Sequence, residues 1–244
     1  MLSSLLNGQV FGERVGSGAP AVLALHGWRR THADLMGVFG DLPGLAIDLP
    51  GFGASPTPTE AWGSPEYATA LLPLLDDLAE PRIVVGHSFG GRVAVQLAAA
   101  APERVKGLVL TGVPLIRGEV RPPSLGYRLL RGATNKGLIP AKYLEARKQR
   151  TGSDDYRAAT GVMRDIFVTL VNETYDDVMK RVQCPVFMVW GEHDTAAPPQ
   201  RNKRAQALFP QARLRIVEGS GHLIDAPLEA AVRDAVQQAA EVSA

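Results

Sequence analysis

Val84-Val85-Gly86-His87-Ser88-Phe89-Gly90-Gly91 places a serine at the end of an apolar run, with glycine two positions to either side. Arg82 to Val85 reads as a buried strand, and Gly91 to Ala101 as an alanine-rich helix with apolar faces. A serine between a strand and a helix in so few residues sits in a sharp turn. Side chains at Gly86 and Gly90 would crowd the neighbouring segments, so glycine makes that turn possible. Ser88 is then raised at the strand end, and the following helix aims its N-terminal amides and positive dipole end at any anion formed there. With 25 glycines in 244 residues the pattern is easily met by chance, so the rest of the chain has to decide.

Working outward, Ala21 to Leu25 is a continuous apolar run, as a fully buried parallel strand requires, and stops at His26-Gly27-Trp28. Leu45-Ala46-Ile47 is the next strand and ends in Asp48-Leu49-Pro50-Gly51-Phe52-Gly53-Ala54-Ser55. The Gly51-x-Gly53 pair is not a dinucleotide loop, because Pro56 stands where the third glycine belongs; Asp48 reads as the residue that fixes a tight turn. Residues 9 to 20 suggest a first strand or hairpin, and Thr31 to Leu42 a short helical stretch. Ser64-Pro65-Glu66 opens a helix with Ser64 as N-cap, which Pro73 should kink. Gly107 to Gly112, Pro185 to Gly191 and Ala212 to Val217 are further strands. Between Leu115 and Arg181 the strand rhythm gives way to helical segments such as Pro140 to Arg150 and Asp154 to Val171. Alternating strands and helices imply an open, mostly parallel sheet with helices on both faces.

The G-H-S-F-G turn, together with H-G-W after the earlier strand and D-L-P-G-F-G-A-S, resembles the nucleophile elbow and companion turns of the α/β-hydrolase family. The resemblance implies an α/β fold with a mostly parallel central sheet, a core formed by residues 1–114 and 183–244, and a helical cap insertion over 115–182. It makes Ser88 the nucleophile. A base and an acid must follow, each after a later strand. Of His26, His32, His87, His193 and His222, only His222 lies after the last strand, and Trp190-Gly191-Glu192-His193-Asp194 supplies Asp194, with Glu192 in reserve. The order Ser88, Asp194, His222 is the family's. By the same resemblance the backbone N–H groups of Trp28 and Phe89 form an oxyanion hole, Trp28, Phe89, Leu115 and Leu223 touch the substrate, and His26 is structural.

A serine alcohol needs a positioned base, and the base an acid to orient it. The expected activity is therefore cleavage of carboxylic esters of small or medium size through an acyl-enzyme, without cofactor. Amidase, lactonase, thioesterase and carbon–carbon hydrolase activities use the same triad, as does a slowly hydrolysing receptor. Carbon–carbon hydrolases often carry small residues after H-G, where this chain has Trp28-Arg29-Arg30, and dehalogenases and epoxide hydrolases place aspartate where Ser88 stands.

The formal net charge of +1 gives no field for nucleic acid, and H-E-x-x-H and paired cysteines are absent, so no metal is expected. Cys184 reads as a buried structural thiol. Met1 to Val10 lacks the pattern of a signal peptide and no 18 apolar residues run together, so a cytoplasmic protein without membrane attachment is expected. Charge is uneven along the chain. From Leu115 to Arg150, nine cations (Arg117, Arg121, Arg128, Arg131, Lys136, Lys142, Arg147, Lys148, Arg150) stand against Glu119 and Glu145, nine less two, or +7. Solvated surface is the ordinary expectation for them; the sharper one is a positive rim, completed by Arg29 and Arg30, that attracts anionic substrates.

Overall fold

The computed structural model describes residues 1–80, 82–118 and 124–243. Eight strands form one sheet: β1 Leu2–Leu5, β2 Val10–Val15, β3 Val22–Leu25, β4 Gly44–Asp48, β5 Ile83–His87, β6 Gly107–Thr111, β7 Val186–Gly191 and β8 Ala212–Val217. Their spatial order is β1-β2-β4-β3-β5-β6-β7-β8. β2 runs antiparallel to both its neighbours, β1 and β4, and every other pair is parallel.

Side chains two apart on a strand share a face, and the apolar runs use both. In β3, Leu23 and Leu25 enter one buried cluster while Val22 and Ala24 enter the other. In β5, Val84 goes to the first, and Ile83 and Val85 to the second. The first face is covered mainly by α1 Ser64–Leu71, α2 Phe89–Ala100 and α7 Asp176–Met179, the second by the long C-terminal helix α9 Ala226–Ser243. A sheet covered on both sides explains why its strands lack a polar alternation.

Register brings the carboxyl ends of the strands to one edge. Leu25 pairs with Gly86, His87 with Thr111, Thr111 with Val189, and Gly191 with Val217. The loops that leave these ends carry Trp28, Ser88, Asp194 and His222 to the same side of the sheet.

Several local expectations change. Thr31 to Leu42 makes only one 3₁₀ turn, His32–Leu35, and Gly40, at φ +60°, does not continue it as a helix. Gly63, not Ser64, caps α1; the Glu66 carboxylate accepts the Gly63 N–H at 2.7 Å, while Ser64 Oγ donates to Glu173 at 2.7 Å. At Pro73 the chain leaves the α-helix after Leu71 and continues as a 3₁₀ stretch, Leu72–Asp77. Between β6 and β7 lie α3 Leu125–Asn135, α4 Ala141–Thr151, α5 Asp154–Ala158, α6 Gly161–Asn172 and α7, with α8 Asn202–Leu208 following β7. The single helix expected over Asp154 to Val171 breaks at Ala159-Thr160, both extended, and restarts at Gly161 with φ +52°. Cys184 is buried, and burial pushes its thiol up to about 11.

Candidate active site

Ser88 joins β5 to α2 with φ 51° and ψ −114°, a backbone conformation that L residues rarely adopt. The turn is held by packing that only glycine permits. A Cβ on Gly90 would overlap the Leu25 carbonyl, one on Gly86 the Gly91 backbone, and one on Gly91 the Val113 side chain. Backbone bonds fix the rest: Ser88 N–H donates to Thr111 O at 2.9 Å, Gly90 N–H to His26 O at 3.0 Å and Gly91 N–H to Ser88 O at 3.1 Å. Among the described residues no acceptor takes the N–H of Phe89, which opens α2, or that of Trp28. Two amide donors of the turns around Ser88 are thus without a protein partner among the described residues.

His26 locks the loop that carries Trp28. Its Nε2 accepts the Leu49 N–H at 2.9 Å, so the ring proton sits on Nδ1 and is donated to Gly27 O at 2.7 Å. Burial lowers its pKa to about 4, which keeps the ring neutral. Asp48 does the same for the next turn: Oδ1 accepts the His32 N–H at 2.8 Å and Oδ2 the Ala54 N–H at 2.9 Å. Among the described residues neither makes a hydrogen bond to Ser88.

His222 Nε2 lies 3.1 Å from Ser88 Oγ, and its Nδ1 lies 3.0 and 2.9 Å from the two Asp194 oxygens. Asp194 is 3% exposed, and its Oδ1 accepts N–H bonds from Ala196 at 2.9 Å and Ala197 at 2.8 Å. The carboxylate is oriented before any substrate arrives. Glu192, the reserve acid, turns away and accepts the Gly219 N–H at 3.2 Å. The His222 loop is pinned from two sides: His193 N–H donates to Ser220 O at 2.9 Å, and Ser220 Oγ to Asp225 at 2.9 Å. His87, buried beside Ser88, donates Nε2–H to the His222 carbonyl at 2.9 Å. Burial, reinforced by His222, lowers its pKa to about 4.

A cavity of about 280 Å³ opens over Ser88 and His222. Trp28 forms one wall, its ring 4.9 Å from Phe52, 5.5 Å from Phe89 and 5.3 Å from Phe167. The insertion supplies Asp155, Phe167, Leu170 and Val171, and α2 supplies Phe89 and Arg92. Two expected substrate contacts lie elsewhere. Leu115 is buried in the core at 2% exposure, and its neighbour Pro114 reaches the cavity instead; Leu223 is 57% exposed and absent from the lining, because the loop turns His222 inward and the next side chain out. Among the described residues no three His, Cys, Asp or Glu side chains cluster as metal ligands would.

The cations expected to form a positive rim do not all line the cavity over Ser88. Arg29 is 3.5 Å from Asp155, and Arg30 is bound by Asp34, so both loop arginines have local counter-charges. Arg147 and Lys148 line a separate, larger groove of about 510 Å³ within the insertion. Glu119 and Arg121 lie outside the described residues. The cation in the cavity over Ser88 is Arg92, which the sequence reading passed over. Its spacing of four from Ser88, one helical turn, was the available signal.

The chain shares 30% identity over 251 aligned residues with an uncharacterized protein, Rv2715, of Mycobacterium tuberculosis, covering 86% of this chain and 72% of that one. It is 26% identical to a 2-hydroxy-6-oxononadienedioate/2-hydroxy-6-oxononatrienedioate hydrolase of Cupriavidus pinatubonensis, over 85% of this chain and 82% of the relative. Esterase Rv0045c of M. tuberculosis is 41% identical over 110 residues, 43% of this chain and 37% of its own. The crystal structure of that esterase superposes with a TM-score of 0.67, at 24% identity, over 97% of this chain and 91% of the other. Residues 22–237 match the alpha/beta hydrolase family as a whole. The chain therefore belongs to the alpha/beta hydrolase family.

Proposed function

We propose that the protein is a serine hydrolase that cleaves carboxylic esters, with Ser88 as nucleophile, His222 as base and Asp194 as the acid that orients it. The observation that carries this reading is the unbroken line from Ser88 Oγ through His222 to both oxygens of Asp194, at 3.1, 3.0 and 2.9 Å. Ser88 Oγ attacks the ester carbonyl as His222 Nε2 takes its proton, and Asp194 holds the imidazolium that results. The carbonyl oxygen, now an anion, is met by the unclaimed N–H groups of Phe89 and Trp28. One such donor stabilises the transition state by about 3 to 4 kcal/mol. His222 then gives the proton to the departing alcohol, water repeats the sequence on the acyl-enzyme, and the acid is released. In the same reading residues 115–182 act as a cap, since their Phe167, Leu170 and Val171 roof the cavity.

Similarity to the Cupriavidus hydrolase favours a second reading, hydrolysis of a carbon–carbon bond on the same triad. A panel of fluorogenic esters, amides, lactones and thioesters, run beside a vinylogous 1,5-diketone, separates the two. The ester reading expects many turnovers per active site on simple esters, and a loss of 10⁴-fold or more in Ser88→Ala, about what removal of a serine nucleophile costs. Ester turnover that survives in Ser88→Ala would overturn the assignment.

A further inference from the structure

Arg92 stands on α2 one helical turn beyond Ser88 and lines the same cavity. Its guanidinium is held by two backbone carbonyls, with Nη1 donating to Leu170 O at 2.6 Å and Nη2 to Pro114 O at 3.1 Å. It also lies over the Tyr175 ring at 5.5 Å. These contacts use two of the five N–H donors that a guanidinium carries; the enclosed Nε–H has no partner. Among the described residues no carboxylate pairs with Arg92, whereas Arg29, opposite Asp155 of the same cavity, has one. A partly buried cation without a counter-charge, beside apolar Trp28, Phe167, Leu170 and Val171, is costly unless an anion completes it. Trp28 Nε1–H, enclosed within the same wall, likewise has no acceptor among the described residues. The acceptor side of the wall is thin. Among the described residues its one anionic side chain is Asp155, already opposite Arg29.

Resting on the ester-hydrolase reading, we propose that Arg92 is the site for a carboxylate carried by the substrate, so that the preferred substrates are esters bearing a negative charge a short chain away from the bond that is cleaved. Two fixed backbone contacts hold the fork rigid, as bidentate capture of a carboxylate requires. Substrate charge supplies the missing partner, and the rotation of Arg92 out of the cavity is blocked by its bonds to Leu170 and Pro114.

The test compares 4-methylumbelliferyl hexanoate with the 4-methylumbelliferyl monoester of hexanedioate, whose acyl chains match in length and differ in one carboxylate. A second pair places the carboxylate on the alcohol, as the hexanoate esters of 4-hydroxybenzoate and of its methyl ester. In the wild-type protein, kcat/KM for the charged member of at least one pair should exceed that of its neutral partner by tenfold to a hundredfold, about the range of a hydrogen-bonded charge. In Arg92→Met that ratio should fall to within about twofold of unity, and Arg92→Lys should restore part of it. A latch with no part in recognition would lower kcat/KM for both members alike and leave the ratio where it was; that result overturns the proposal. The wild-type ratios are read without any variant, so ratios at or below one in both pairs overturn it even if Arg92→Met does not fold. Cleavage of the neutral esters without a charged preference sinks this inference alone, whereas no ester cleavage at all sinks the reading beneath it.

Discussion

At the sheet edge, side chains added to Gly86, Gly90 or Gly91 would strike backbone or a buried valine, whereas in α3 a Cβ on Gly126 or Gly132 would meet nothing within 4 Å. The same contrast runs through the apolar residues. The strands that carry Ser88, Asp194 and His222 toward the cavity are buried throughout except β8, while Leu125 and Leu129 of α3 are 69% and 65% exposed. One region is held by close packing and fixed hydrogen bonds; the other is helical, cationic and loosely covered. Chemistry that demands sub-ångström placement belongs on the first. The second can vary in size and charge without disturbing it.

The largest effect that would sharpen this contrast is expected from Asp194→Asn. Asparagine keeps the shape but offers His222 an N–H in place of an acceptor, which favours the wrong imidazole tautomer; kcat should fall about 10⁴-fold with the melting temperature little changed. Turnover near the wild-type level would mean that another acid serves His222. Gly90→Ala comes next, because its Cβ cannot avoid the Leu25 carbonyl. Destabilisation of about 1 to 3 kcal/mol is expected, with loss of activity out of proportion to it, since the Ser88 turn must shift. Chemical denaturation and ester turnover measured on one preparation would reveal an unaffected elbow if the expectation fails.

Acid should also separate the two regions. His26 and His87 are both lowered to about 4 by burial, and each holds a backbone group of the site. The unfolded chain takes up protons near pH 6.5 that the folded chain refuses until near pH 4, so unfolding is favoured as pH falls across that window. Each histidine should cost on the order of 3 kcal/mol by pH 4, and His87→Gln should shallow the slope of urea midpoint against pH. A midpoint that stays level from pH 6.5 to 4.5 would contradict the buried, neutral assignment. The smallest effect is expected in the insertion. Gly132→Ala lies inside α3 with open space around it, and should stabilise by up to about 1 kcal/mol without touching kcat. A clear loss of activity there would show that α3 is coupled to the site.

How far the molecule could be read from its residues follows the same division. Continuous apolar runs and glycine-bearing turns are local signals, so the parallel strands and the turns that carry Ser88, Asp194 and His222 are legible in the sequence. The 3₁₀ turn at His32–Leu35 was not, because the left-handed φ of Gly40 is a conformation that glycine permits and the sequence does not announce. Leu115 and Leu223 were misplaced by one residue's worth of direction, which periodicity cannot settle once a strand has ended. Arg92 escaped notice for a related reason. That no carboxylate pairs with it among the described residues appears only when its neighbours are in place.

The central claim is that Ser88, activated by His222, is the nucleophile. Its most direct test is to titrate the protein with a fluorogenic organophosphonate, measure the label bound per chain and the residual ester turnover together, and locate the label by mass spectrometry of the peptides. One label per chain, on Ser88, with turnover lost in step and no labelling of Ser88→Ala, is the expected result. Label on another residue, or turnover that persists once Ser88 is fully modified, would contradict it.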